Sequence, residues 1–161
     1  MNKVIIVGGG AAGMLCSIIA ARNGCEVFLF EKNEKLGKKL YITGKGRCNV
    51  TNNCEVEELL RAVMTNSKFL YSAFYTFNSQ DMMALLEEAG VPLKTERGNR
   101  VFPESDRSSD IIRGLERLMK KYGVHVRFRS EVREILTQDG AAVGVSLADG
   151  EIKREIGRAS C

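Results

Sequence analysis

Proline is scarce in this chain of 161 residues, with 2 against 16 glycines, which excludes a collagen-like repeat or a proline-rich linker. Histidine occurs once, and the five cysteines (Cys16, Cys25, Cys48, Cys54 and Cys161) form neither a C-x-x-C pair nor a zinc spacing. An odd count without such spacing argues against a disulfide framework or a metal site and fits a reducing cytoplasm. Charge of one sign is also lacking: 24 Lys+Arg face 20 Asp+Glu, a formal net of +4, and the bases are scattered among acids. That balance gives no footprint for nucleic acid. Internal repeats and low-complexity tracts are missing too. With 44% hydrophobic and 27% charged residues, the chain can bury a core and is too apolar for disorder.

Residues 4–21 carry no charge and follow Lys3, a pattern that fits a signal peptide or a membrane span. Gly8, Gly9, Gly10 and Gly13 interrupt it, and each glycine costs a helix about 1 kcal/mol relative to Ala. The better parse is a buried strand over Lys3–Val7, a glycine turn, and a helix over 11–23 stopped by Gly24. A second strand follows at Glu26–Phe30, ending at Glu31. Residues 33–53 read as a long loop, and loops of that length inside compact domains are usually functional or disordered. Helices are predicted over 55–64, 67–77, 80–89 (capped by Asn78–Ser79) and 110–122 (capped by Ser108 or Ser109). Residues 91–96 read as an edge-like strand followed by an Arg97-Gly98-Asn99 turn. Strands are predicted over 124–128, 132–137, 141–147 and 151–156, the last three joined by Asp139-Gly140 and Asp149-Gly150 turns.

The first motif is Gly8-x-Gly10-x-x-Gly13, placed between a strand and a helix as dinucleotide binding requires. Gly8 permits the turn, Gly10 the approach of a pyrophosphate, and Gly13 close packing of helix on strand; the helix N-terminus offers N–H groups to the phosphates. Glu31 lies eighteen residues after Gly13, where a carboxylate meets an unphosphorylated adenosine ribose. The second motif, in the loop around Lys38, Lys39, Lys45 and Arg47, is not a phosphate loop of the Walker type: position 39 is not Gly and position 46 is neither Ser nor Thr.

The run Gly44-Lys45-Gly46-Arg47-Cys48-Asn49-Val50-Thr51-Asn52, after a dinucleotide fingerprint, resembles the BaiN/aminoacetone-oxidase-like family of NAD(P)/FAD-dependent oxidoreductases. A second stretch, Gly98-Asn99-Arg100-Val101-Phe102-Pro103-Glu104-Ser105, is similar to that family's GRVFP-x-S signature, with Asn99 as an extra residue. The resemblance covers nearly the whole chain. It implies bound FAD, with Gly8, Gly10, Ala12 and Gly13 at the pyrophosphate and Glu31 with Lys32 at the adenosine end. It further implies that Val132 holds the adenine through its backbone, and that Lys39 with Thr43, Gly44, Lys45, Gly46, Arg47, Cys48 and Asn49 lines the way to the flavin. Arg100, Val101, Phe102 and Pro103 would face the flavin or substrate side. Lys45 or Arg47 is the cation expected to stabilise the anionic reduced flavin.

Three side-chain groups have a plainer expected role. Cys48 is expected to be a loop thiol packed beside the cofactor, and His125 a surface or structural residue. The Tyr71/Phe74/Tyr75/Phe77 cluster, at helical spacing, is expected to be core.

These readings give an α/β, Rossmann-like FAD/NAD(P)-binding fold with a parallel sheet, an antiparallel β-hairpin sheet and a helical insertion. The expected division is 1–53 for the dinucleotide-binding βαβ and flavin loop, 54–109 for the helical insertion, and 110–161 for a helix and β-meander. The expected parent function is FAD-dependent oxidation–reduction of a small organic substrate in the cytoplasm. NAD(P)H is a candidate electron donor, and neither nucleic acid nor membrane is an expected partner. The resemblance implies a downstream Ala-Thr-Gly-Gly-like strand and lobe, so the chain reads as an incomplete N-terminal fragment expected to bind FAD weakly and turn over nothing. The alternatives are an NAD-binding dehydrogenase, which would not need the 43–52 loop, and a non-catalytic nucleotide-binding or interaction module, even one for RNA.

Overall fold

The computed structural model describes residues 2–153. In chain order the elements are β1 (Lys3–Val7), α1 (Ala11–Arg22), β2 (Glu26–Phe30), α2 (Lys38–Ile42), β3 (Thr51–Asn52), α3 (Val56–Ala62), α4 (Tyr71–Thr76) and α5 (Ser79–Glu88). They continue as β4 (Leu93–Glu96), β5 (Arg100–Pro103), α6 (Ser108–Lys121), β6 (His125–Arg127), β7 (Val132–Gln138), β8 (Ala141–Leu147) and β9 (Ile152–Lys153). The strand expected over 151–156 is described only for Ile152–Lys153, and the rest of it lies outside the described residues with Cys161. The chain divides into two compact units, one made of Met1–Leu40 with Leu115–Cys161 and the other of Tyr41–Gly114. The 43–52 segment therefore belongs with the helices that follow it.

In the first unit a parallel sheet has the order β1-β2-β6, with Ile5 opposite Phe28 and Phe28 opposite His125. Side chains alternate across a strand, so β2 serves two layers. Phe28 and Phe30 join Ile5, Val132, Val145 and Leu147 in a cluster against the antiparallel meander β7-β8-β9. Val27 and Leu29 are buried on the opposite side, and α1, which packs on β1 and β2, buries Met14 and Ile18. After α1 comes Gly24 at φ +79°, a left-handed stop whose N–H reaches the Ala21 carbonyl at 3.0 Å. His125 is exposed and stacks on Phe28 at 4.9 Å, a structural position of the kind expected. The uncharged stretch at 4–21 is thus strand, turn and helix, and no helix among the described residues is long and apolar enough to cross a membrane.

In the second unit a small antiparallel sheet has the order β3-β5-β4. Helix α5 packs on it, burying Leu85 and Leu86. Asn78 caps α5 in a reciprocal box: its side chain accepts the Gln80 and Asp81 amides at 2.9 and 3.1 Å, and Asp81 accepts the Asn78 amide at 2.8 Å.

Two expectations need correction here, and one strand was not foreseen. Residues 33–53 are not all loop: they hold α2, a 3₁₀ turn over Thr43–Gly46, and β3. β5 carries no local signal in the sequence; it forms by pairing on both sides, with β3 and β4. The Tyr71/Phe74/Tyr75/Phe77 cluster is not core, because Tyr71 and Tyr75 are 55% and 48% exposed. The two rings meet each other at 4.5 Å, and the Tyr75 hydroxyl donates to Glu57 at 2.6 Å. α4 is a six-residue helix following a 3₁₀ turn, and it leaves Phe74 and Phe77 only half-buried.

Candidate functional site

The β1–α1 turn is shaped by its glycines. Gly8 has φ +95° and donates to the Phe30 carbonyl at 2.8 Å, tying the turn to β2. Gly10 is the N-cap of α1 and brings no capping side chain, so the first N–H groups of the helix keep no side-chain acceptor. A Cβ on Gly10 would enter open space, whereas one on Gly13 would overlap the Gly8 carbonyl oxygen. Gly10 therefore leaves room for a ligand, and Gly13 lets the helix press on the turn. Ala12 is exposed in the first turn of α1.

Sequence reasoning gave Gly9 no role, and the structure gives it one. Its N–H donates to Glu31 Oε2 at 2.6 Å, its carbonyl accepts the Gly37 amide at 2.8 Å, and a Cβ on it would collide with Leu36. Asn33 was missed as well. Its amide N–H and its side-chain Nδ2 both donate to Glu31 Oε1, at 2.8 and 2.6 Å. Glu31 is only 6% exposed. Burial pushes its carboxyl up, but the Asn33 and Gly9 donors, with Lys32 nearby, outweigh that and hold it below the usual 4.5. The run of three glycines at 8–10 was the one available sign of Gly9; nothing local marks Asn33.

A cleft of about 350 Å³ opens beside this turn, lined among others by Gly8, Glu31, Lys32, Asn33, Glu131 and Val132. Glu31, Lys32 and Val132, spread over about a hundred residues of sequence, thus face one space next to the N-terminus of α1. Lys39 is exposed on α2.

The remaining predicted residues, Thr43, Gly44, Lys45, Gly46, Arg47, Cys48 and Asn49, lie in the second unit. There the two distant motifs are neighbours. Val50 and Asn53 amides bond the Val101 and Asn99 carbonyls at 2.9 and 2.7 Å, and Thr51 pairs with Val101. The Asn49 amide group, with its nitrogen toward the sheet, donates to the Thr51 and Val101 carbonyls at 3.0 and 3.1 Å. Arg47 Nε donates to Asp106 at 2.9 Å, its Nη2 contacts both Asp106 and Glu96, and its guanidinium lies 4.3 Å from the Phe102 ring centre. Lys94 adds a contact to Asp106 at 2.6 Å. Donating to the Glu96 and Asp106 carboxylates pushes the Arg47 guanidinium up, and it in turn holds both carboxyls down. Arg47 is thereby committed to partners on β4 and after β5. Lys45, exposed at φ +54° beside Gly46 at φ +87°, has no such commitment.

Cys48 is 4% exposed at φ +61°, and burial pushes its thiol up, away from the reactive thiolate. Alkylation of the native protein followed by peptide mapping is expected to label the exposed Cys16 and leave Cys48 unmodified until unfolding. Equal labelling of the two would contradict this burial. No cluster of three metal-binding side chains occurs among the described residues.

Comparison with known proteins places this arrangement. The model of the HI0933-like protein Rossmann domain matches residues 2–156. The chain belongs to the HI0933-like Rossmann-domain family. This is the oxidoreductase family that the 44–52 and 98–105 motifs resemble. Among relatives of the HI0933-like chain, the 3-dehydro-bile acid delta(4,6)-reductase of Clostridium scindens is 30% identical over 128 residues, covering 78% of this chain and 31% of the reductase. The ribosomal RNA dihydrouridine synthase of Haemophilus influenzae is 31% identical over 134 residues, covering 83% and 33%. This chain spans about a third of the length of the curated relatives it matches. In fold it is similar to the 3-ketosteroid-delta4-(5alpha)-dehydrogenase of Rhodococcus jostii, with a TM-score of 0.71, 16% identity, and coverage of 94% of this chain and 43% of the dehydrogenase. A flavocytochrome c3 fumarate reductase is similar at a TM-score of 0.63 and 24% identity, covering 91% and 30%. The HI0933-like chain thus has the Rossmann-type α/β fold expected from its sequence.

Proposed function

We propose that this chain is the FAD-binding part of an oxidoreductase, with the adenosine end of the dinucleotide in the cleft beside Gly8. The observation that carries this reading is the convergence of Gly8, Glu31, Lys32 and Val132 on one cleft at the start of α1. The residues present fit the group. Gly10 leaves a space that a Cβ would fill, the α1 N–H groups suit a pyrophosphate, and Glu31 is an ionised acceptor for ribose. Bound FAD would supply the electron-transfer chemistry.

The chain's own part is binding and orientation. Gly8, Gly10, Ala12 and Gly13 let the backbone close on the phosphates. Glu31 accepts a ribose hydroxyl, Lys32 adds positive charge to the cleft, and the Val132 backbone meets the adenine. Within the second unit, Lys45 rather than Arg47 is the cation available to an anionic reduced flavin, with Thr43, Gly44, Gly46, Cys48 and Asn49 completing the cofactor side there; Lys39, in the first unit, is a further proposed contact. Arg47 acts by holding the loop's shape.

NAD(P)H is the proposed donor and a small organic molecule the proposed substrate, a choice supported by the bile-acid reductase among the relatives. A uridine of ribosomal RNA is the second reading, supported by the dihydrouridine synthase relatives.

Quenching of FAD fluorescence on titration with the protein tests the reading. The wild type is expected to quench it saturably, and Glu31→Gln to weaken binding by roughly tenfold or more, as loss of a charged acceptor does. Because the Glu31 carboxyl is held below 4.5 in the folded protein, it stays ionised through neutral pH. Affinity should be flat from about pH 8 to about pH 5 and fall only as pH drops through that lowered value. Absence of saturable quenching by the wild type rejects the FAD assignment.

A further inference from the structure

Glu31 is an acceptor with little left to accept. An ionised carboxylate offers about four lone-pair sites. Oε1 receives two donors, both from Asn33, and Oε2 receives one, from Gly9. We propose that Asn33, steadied by Lys38, sets the specificity of this site by filling Glu31 Oε1, so that one open position on Oε2 is left for a ribose hydroxyl. The inference rests on the nucleotide reading above and adds to it the residues that aim the carboxylate.

Asn33 is built to do this. Its side-chain Oδ1 accepts from Lys38 Nζ at 3.2 Å, which fixes the amide so that Nδ2 faces Glu31. Lys38 is itself drawn toward Glu34, at 3.9 Å one helical turn away in sequence. The Asn33 carbonyl accepts the Arg129 amide at 3.1 Å, and the Glu31 carbonyl accepts the Ser130 amide at 2.9 Å. Both Glu31 and Asn33 are therefore tied to the segment leading into Val132, which lines the same cleft. Asn33 touches Glu31, not the reacting atoms, so it is a positioning residue.

The chemical consequence is selectivity. A carboxylate free to rotate would present either oxygen to either ribose hydroxyl and would tolerate loss of one of them. With Oε1 filled and Oε2 half filled, one hydroxyl is read in one direction, and an analogue lacking it leaves the second acceptor position of a nearly buried, charged oxygen empty. The charged groups around Glu31 are Lys32, Lys38, Glu34 and Glu131, with Arg129 close to Glu34.

The test uses ADP, 2′-deoxy-ADP and 3′-deoxy-ADP as probes, titrated calorimetrically against the chain. Wild-type protein is expected to prefer ADP over one of the two deoxy analogues by about tenfold, the worth of a hydrogen bond to a charged group. Asn33→Ala removes the Nδ2 donor but keeps the backbone N–H on Oε1, so it should lower that ratio severalfold while ADP binding weakens. Asn33→Asp should weaken ADP further near neutral pH, since two carboxylates then face each other, and recover partly as pH falls. Lys38→Met should lower the ratio by a smaller factor, and lower it no further when Asn33 is already Ala. A thermal unfolding transition like the wild type's, together with a Glu31 carboxyl that titrates at higher pH by NMR, separates loss of this contact from misfolding in Asn33→Ala. An unchanged ADP-to-deoxy ratio in a folded Asn33→Ala protein overturns the inference and leaves the FAD reading standing. Selective ADP binding without FAD binding overturns only the FAD reading, and a wild type that binds no nucleotide overturns both.

Discussion

Gly13→Ala should lower the melting temperature by about 10 °C, whereas Gly10→Ala, three residues earlier in the same turn, should leave it within a few degrees. The difference lies in what a methyl group meets. At Gly13 it meets the Gly8 carbonyl, which belongs to backbone fixed by β1 and by its own bond to β2. Backbone cannot swing aside as a side chain does, so α1 must lift from the sheet. Overpacking of this kind costs about 3 kcal/mol at the upper end of its usual range, and each kcal/mol moves the transition of a domain this size by about 2–4 °C. At Gly10 a methyl meets nothing, and φ there is −79°, a value any residue adopts. Its effect should fall on the ligand: the methyl occupies the space proposed for a pyrophosphate, and FAD binding should weaken by tenfold or more, a loss of at least about 1.4 kcal/mol. Thermal unfolding and flavin titration on both variants check the pair together. Equal melting losses would show that the helix–turn contact at Gly13 is slack.

Arg47→Ala should produce the largest loss in the second unit. It removes at once the donors to Asp106 and Glu96 and the cation over Phe102, leaving two carboxylates facing Lys94. Isolated surface pairs contribute little. Here one guanidinium joins a residue of β4 to the turn after β5, so its loss unties elements and not just a pair. Arg47→Lys should recover only part of the stability, since a lysine cannot reach both acids with a planar fork. The pH dependence has a definite sign. The Glu96 and Asp106 carboxyls are held below their usual 4.5 and 3.8. Their contribution is therefore complete above those values and disappears as pH falls through the lowered folded ones. The gap in melting temperature between wild type and Arg47→Ala should be constant from pH 6 to 8 and narrow below about pH 4. A gap that is absent, or that does not narrow, would show that the network does not hold the hairpin.

What the sequence could disclose follows from how local the determinants are. β1, β2 and β8 have the bounds read from β-branched runs and glycine turns, and α1 and α6 those read from periodicity and caps, within a residue or two. Gly13 was legible because a spacing rule encodes helix-on-strand packing. β3 was not, since it exists through pairing with β5 about fifty residues away, and β5, though it also pairs with the nearby β4, is held on its other side by that same distant partner. The same distance hid the engagement of Arg47: from sequence it was as free a cation as Lys45, and only the fold brings Asp106 and Glu96 to it. Asn33 stayed hidden for another reason. An asparagine in a polar loop is common, and its value lies in the direction of its amide, which no pattern of residue types records.

The parallel pairing of Phe28 with His125 demands that two strands nearly a hundred residues apart find each other. Closing so long a loop is slow and entropically costly. Ser108, 2% exposed at the start of α6, donates its hydroxyl to the Tyr41 carbonyl at 3.1 Å, so the beginning of the second unit is fastened close to its end. If that unit folds early, the stretch left to search shrinks from the whole intervening chain to the short arms outside the Ser108–Tyr41 clasp. The Ser108 hydroxyl would then govern how fast the β2–β6 pairing is completed.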